Sequence, residues 1–138
     1  MSKIPSYWSR AKKNLSNKDK VMASLIVKYK SPTEKILTTR KDIFFSLCKS
    51  IIGQQISVAA ANSVFLKFKN KCKNKINAKM VNTLTFTQLK SCGLSKQKVK
   101  GIQSLAKQTL DKTFNPRLIS KMSDEDAILY LSQLRQIG

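Results

Sequence analysis

The sequence has no histidine. That excludes a Ser-His-Asp triad, a Cys-His pair and histidine-bound metal, and with them many hydrolase classes. Glycine is scarce too, with 4 residues, and proline scarcer, with 3. No Walker loop and no G-x-G-x-x-G can be assembled, so no nucleotide cofactor is expected. Cys48, Cys72 and Cys92 are odd in number, widely separated and without a CxxC pair. Neither a disulfide framework nor a zinc or iron–sulfur site is expected, and the thiols read as buried or incidental. No apolar run approaches the length of a bilayer span, and Met1-Ser2-Lys3-Ile4-Pro5 lacks the apolar core of a secretory signal. A soluble cytoplasmic protein without membrane contact is the expectation, nucleoid-associated if bacterial. Acids are the last shortage: 7 Asp+Glu face 27 Lys+Arg, a net charge of +20. A polyanion is the natural partner of such a chain. Most of the bases are lysines accompanied by abundant isoleucine and asparagine, however, a mix that an AT-rich genome also produces, so charge alone does not decide.

What is present is a helical pattern. With 138 residues, 41% of them hydrophobic, the chain is long enough for one domain with a real core. Tyr7 to Asn17 is a polar, basic opening in which Tyr7 and Trp8 could pack onto that core. From Asp19, Val21, Leu25, Ile26 and Tyr29 recur at helical spacing until Ser31-Pro32-Thr33 stops them. A second helix starts near Asp42 with Phe44, Leu47, Cys48, Ile51 and Ile52 on one stripe, and Gly53 is expected to interrupt it. Ser57 to Phe68 resumes with Val58, Ala61, Val64, Phe65 and Phe68, and its run of alanines predicts a largely buried helix. Asn70 to Lys79 reads as a solvated connection. Thr85 opens a short helix carrying Leu89 inward, and Cys92-Gly93-Leu94 stops it. Ser95 caps a helix with Val99, Ile102, Leu105, Ala106, Thr109 and Leu110 inside and Lys96, Lys98, Lys100 and Lys107 outside, closed by Pro116. Ser123-Asp124-Glu125-Asp126 begins the last helix, which carries Ile128, Leu131 and Leu134. No segment alternates with period two. The fold class is all-α, with about six or seven short helices, organised as a basic segment and first helix over 1–40 and a helical domain over 41–138.

Little of this is catalytic. Asp124, Glu125 and Asp126 are best explained as charges favouring a helix start. The Lys96, Lys98 and Lys100 run is divided between phosphate contact and an ordinary solvated face.

One stretch stands apart. Phe44 to Ala60 contains Ser50-Ile51-Ile52-Gly53-Gln54-Gln55-Ile56-Ser57, a glycine and two uncharged amides inside the most apolar part of the chain. With Leu89-Lys90-Ser91-Cys92-Gly93-Leu94-Ser95-Lys96-Gln97-Lys98, an L-x-x-x-G-L-S-x-x-K pattern, and the closing Leu134-x-x-Ile137-Gly138, it resembles the helix-hairpin-helix DNA glycosylases, and more narrowly their 3-methyladenine DNA glycosylase II branch. The resemblance implies base-excision repair: hydrolysis of the N-glycosidic bond of alkylated purines in double-stranded DNA by a monomer needing no cofactor or metal. It also implies a DNA-binding set of Gln54, Gln55, Ser57 and Gly138. The amides at the turn would wedge into the gap left by an extruded base, Gly53 would allow close approach, and the glycine-rich hairpin entered at Gly138 would bind a phosphate. A plainer reading has the glutamines capping the helix of Ser57. The first glycine of that hairpin is replaced by Gln136, and no residue here matches the family's catalytic aspartate or the lysine nucleophile of its lyase-type members. The chain thus resembles the first part of a glycosylase, for which little turnover in isolation is expected; a damage-sensing binding module or a general basic DNA binder are the alternatives.

Overall fold

The computed structural model of the chain describes residues 4–30 and 41–138, which fall into two compact units, Met1–Lys41 and Asp42–Gly138. In the first unit the polar opening is itself helical: α1 runs Trp8–Lys18 and α2 runs Lys20–Lys28, packed on each other. Asp19 separates them, its backbone extended and its carboxylate accepting from the N–H groups of Val21 (2.8 Å) and Met22 (3.0 Å). Of the periodic set Val21, Leu25, Ile26 and Tyr29, only Ile26 is half-buried. The expected stop at Ser31-Pro32-Thr33 lies outside the described residues.

The second unit holds the core. Its helices are α3 (Ile43–Gly53), α4 (Val58–Lys71), α5 (Ala78–Asn82), α6 (Phe86–Lys90), α7 (Lys96–Leu110) and α8 (Asp124–Ser132), with a 3-10 turn at Pro116–Lys121 between the last two. The described residues contain no strand. Each of these helices starts on a side-chain cap, from Asp42, Ser57, Asn77, Thr85, Ser95 and Ser123 in order. A cap contributes about 1 kcal/mol by satisfying one of the N–H groups a helix start leaves orphaned. Thr85 and Gln88 form a reciprocal capping box, and Gly93 ends that segment at φ +95, a conformation open to glycine at little cost.

Helix α7 is the hub, packed against α3, α5 and α6. Its Val99, Ile102, Leu105 and Ala106 meet Ile51, Ile52, Phe68, Val81, Leu89 and Leu94 in one buried cluster. Fully burying such side chains is worth about 1.5–3 kcal/mol each. At one edge of the unit Phe114 stacks on Tyr130 with 5.3 Å between ring centroids, and the Tyr130 hydroxyl accepts from the N–H of Asn115 (2.7 Å).

Three sequence expectations are corrected. Helix α4 is not largely buried: Phe68 alone is fully covered, Ala61, Val64 and Phe65 are partly covered, and Ala59, Ala60 and Leu66 face outward. The covered residues sit at i, i+3, i+4 and i+7, one stripe of a surface helix, and alanine's smallness fits the outer face as well as the inner. Gly53 does not interrupt α3 but is its last residue, and the break falls at Gln54. Leu110, the last residue of α7, is not inside but 44% exposed.

Candidate nucleic-acid interface

Helix α3 ends because Gln54 leaves helical geometry for an extended one (φ −61, ψ 131). Gln55 then turns into the left-handed region at φ +55. For a residue with a Cβ that conformation costs about 1–2 kcal/mol and persists only where surroundings enforce it. Ser57 returns to extended backbone and starts α4, its hydroxyl accepting from the N–H of Ala60 (3.2 Å). Four residues thus reverse the chain, and Gln55, Ile56, Ser57 and Val58 are exposed along the rim. Neither glutamine caps α4; Ser57 does.

The enforcement comes from elsewhere in the chain. Lys98, in the first turn of α7, reaches across so that its Nζ donates to the carbonyl of Ile52 (2.8 Å) and to that of Gln54 (2.7 Å). These carbonyls belong to the negative end of α3, where an ammonium is favoured. Hydrogen bonds made by a charged group are worth about 1.5–3 kcal/mol. Lys96 and Lys100 are exposed, whereas Lys98 is half-buried, with its ammonium on two backbone carbonyls. Ser95 fixes the first turn from which Lys98 extends, accepting from the N–H of Lys98 (3.2 Å).

The closing segment supplies a second hold. The Gln54 side chain is half-buried, and its Nε2 donates to the carbonyl of Gln136. Gln136 sits at φ +70, so the position where the family pattern expects glycine does take up the backbone that glycine adopts most readily. Opposite it is Gly101 of α7: a Cβ there would lie 2.8 Å from Gln136 Cγ and 3.1 Å from Gln136 Cβ. Leu134 anchors the segment in the core, Arg135 Nη2 donates to Gln97 Oε1 (3.2 Å), and Gly138 passes so near the Ser132 carbonyl that any Cβ would overlap it. The structure therefore brings Gln54, Gln55 and Ser57 together and joins Gln54 to the segment ending at Gly138. The L-x-x-x-G-L-S-x-x-K spacing was visible, but Lys98's inward reach, Gln136 as a partner and Gly101 as the gap between them were not.

Beside the turn an apolar cleft of about 300 Å³ opens between α3 and α4, lined by Ile52, Gly53, Ile56, Val58, Ala61 and Phe65. Lys49 borders it, its Nζ 5.4 Å from the centroid of the Phe65 ring, within cation–π range. Of the described carboxylates, Asp19 and Asp42 cap helices, Asp124, Glu125 and Asp126 stand in the first turn of α8, and Asp111 accepts from Thr113, whose hydrogen bonds hold its carboxyl below the usual range. The three thiols are buried. Burial raises all of them, Cys72 to about 11, so they are protonated at neutral pH and poor nucleophiles. Among the described residues no helix is long and apolar enough to cross a membrane, and no three metal-binding side chains cluster.

The fold has close counterparts. The structure of 3-methyladenine DNA glycosylase (Mag1) from Schizosaccharomyces pombe, in complex with abasic DNA, superposes with a TM-score of 0.82 over 94% of this chain and 64% of that one, at 23% identity. The class defined here is thus the all-α fold of the helix-hairpin-helix DNA glycosylases. Residues 48–135 match the HhH-GPD superfamily base excision DNA repair protein family, and the chain belongs to that family. It is 31% identical over 141 residues to the alkylbase DNA glycosidase-like protein mag2 of S. pombe, covering 99% of this chain, and 26% identical over 102 residues to DNA-3-methyladenine glycosylase 1 of the same yeast, covering 72%. The matches span 65% and 45% of the length of those two relatives.

Proposed function

We propose that this chain reads duplex DNA for base-excision repair of alkylated purines of the 3-methyladenine type, in a reaction that hydrolyses the N-glycosidic bond. The observation that carries this is the Gln55 turn: an exposed, uncharged amide held at φ +55 between two helix ends, flanked by Ile56 (40% exposed) and Val58 (78% exposed), on a protein of net charge +20. Lysines supply affinity for phosphates without reading damage. An amide flanked by apolar tips can enter a stack and hydrogen-bond the base left behind when its partner is extruded. Gln55 is the residue that enters. Gln54, bonded to Gln136, supports the turn from behind, and Ser57 fixes the start of α4 next to it.

The place of every described carboxylate at a helix start or in the Asp111 turn, none of them at the Gln55 turn, favours a second reading for these 138 residues by themselves: damaged-duplex binding without base release. Both readings meet in one experiment. Purified chain is titrated into labelled duplexes that are intact or carry a tetrahydrofuran abasic analogue, and separately incubated with methylated DNA while free 3-methyladenine is measured. Preference for the abasic duplex, lost in Gln55→Ala, is the expected result. Equal binding to both duplexes would refute the turn's role, and base release at a rate proportional to enzyme would refute the non-catalytic reading.

A further inference from the structure

We infer that Lys98 is a positioning residue for damage recognition, acting through the Gln55 turn and not by touching DNA phosphate. The inference rests on the proposed role of Gln55, and it assigns to Lys98 the opposite of what its surroundings suggest, because it stands between two exposed lysines in a strongly basic chain. The geometry separates it from them. Its Nζ is committed to two backbone carbonyls, those of Ile52 and Gln54, at 2.8 and 2.7 Å, while Lys96 and Lys100 are exposed. The two carbonyls bracket the point where α3 stops. Holding both with one ammonium fixes the direction in which Gln54 leaves the helix and so where Gln55 must stand, one residue on. Without that cation the carbonyls of Ile52 and Gln54 would turn to water, and the left-handed conformation of Gln55 would lose one of the two long-range holds that maintain it, the other being Gln54 on Gln136.

A phosphate contact and a positioning residue leave different signatures. Losing a phosphate contact weakens intact and damaged duplexes alike and lowers the salt slope by about one. Losing a positioning residue lowers only the preference for damage, and does so through Gln55. The test uses the full chain and the intact and tetrahydrofuran duplexes at several salt concentrations, with Lys98→Met, Lys98→Arg, Lys100→Met as the control for lost charge, and the double variant Lys98→Met/Gln55→Ala. The expected result for Lys98→Met is a drop in the damaged-to-intact affinity ratio of roughly tenfold, the size of one charge-assisted hydrogen bond, with intact-duplex affinity and salt slope unchanged. Lys98→Arg, which keeps a donor cation, recovers part of the ratio. In the double variant the two losses do not add, because the lysine acts only through the glutamine. Additive losses, or a parallel fall on both duplexes with a reduced slope, overturn the inference.

A wild-type chain that shows no preference for damage refutes the role of Gln55, and the positioning claim then stands or falls on amide hydrogen exchange. Faster exchange at residues 54–57 in Lys98→Met, with α5 to α7 protected as in wild type, supports it. Unchanged exchange at the turn overturns it. Should Lys98→Met fail to fold, the same readouts on Lys98→Arg apply, with a reduced ratio at unchanged intact-duplex affinity and faster exchange at residues 54–57 as the supporting outcome, and a parallel fall on both duplexes or a wild-type ratio with wild-type exchange as the refuting one.

Discussion

Replacing Gly101 with alanine probes the contact that seats the closing segment beneath the turn. In a helix interior the change should help, since alanine is favoured over glycine by about 1 kcal/mol. Here the new Cβ would stand 2.8 Å from Gln136 Cγ, 3.1 Å from Gln136 Cβ and 3.4 Å from the Arg135 carbonyl. The Cγ can rotate away, but the Cβ moves only with its backbone, which Leu134 and Ile137 hold against the core. Overpacking of this kind costs about 1–3 kcal/mol, and a shifted Gln136 carbonyl loosens its hydrogen bond from Gln54, worth about 1 kcal/mol. The net expectation is destabilisation by about 1–3 kcal/mol, read as a lower urea midpoint in circular dichroism at unchanged slope, or a fall in Tm of about 4–8 °C per kcal/mol for a unit of this size. Gln136→Gly alone relieves about 1–2 kcal/mol of left-handed strain and gives back about 0.4–1 kcal/mol through a more flexible unfolded chain, for a net gain of up to about 1.6 kcal/mol. The double variant Gly101→Ala/Gln136→Gly decides the matter. With both offending carbons gone, the nearest atom to the Cβ is the Arg135 carbonyl oxygen at 3.4 Å, an ordinary contact, so the double variant should be at least as stable as wild type. Strict additivity of the two changes, or a Gly101→Ala variant more stable than wild type, would refute the reasoning.

Two further outcomes follow from the core. Phe68→Ala removes a fully buried ring that also packs near Phe65, 6.5 Å between centroids, and should cost about 3–5 kcal/mol in urea unfolding. Because burial holds Cys72 in its thiol form to about pH 11, below the unfolded pKa its contribution to stability is fully present, and it is lost as pH rises from near 9 toward 11, where the unfolded chain ionises first; Cys72→Ala should flatten that limb of the stability profile, and the native protein at pH 8 should react with a thiol reagent only as fast as it unfolds.

The starts of helices were the most legible feature, because a cap is local: Asp42, Ser57, Thr85, Ser95 and Ser123 lie where serine, threonine or aspartate precedes an apolar period. So was the inner face of α7, whose period is strong. Helix α4 was misjudged because alanine is neutral in the pattern, and which of its faces meets α3 is settled only by packing. The stretch Asn70 to Lys79 read as a solvated connection, yet it buries Cys72 and Ile76 between lysines and asparagines and turns on the left-handed Lys73 and Asn74, of which only the asparagine is of a type that favours that conformation. The pairing of Lys98 with α3 spans 46 residues and has no local signal at all.

That last pairing also explains why the two glutamines are not equivalent, though adjacent and chemically identical. Gln54 is extended and half-buried, whereas Gln55 is left-handed and exposed. The half-buried amide of Gln54 donates to the Gln136 carbonyl. Gln55 faces out, makes no hydrogen bond among the described residues, and bears the left-handed backbone as the cost of standing there. An apolar residue at position 54 would leave the Gln136 carbonyl without its partner and the closing segment without its tie to the turn. An apolar residue at 55 would leave the fold intact and, on the proposed reading, change only what the turn presents to a base. The pair therefore divides one requirement between two positions: the first amide holds the site together, and the second is what the site presents.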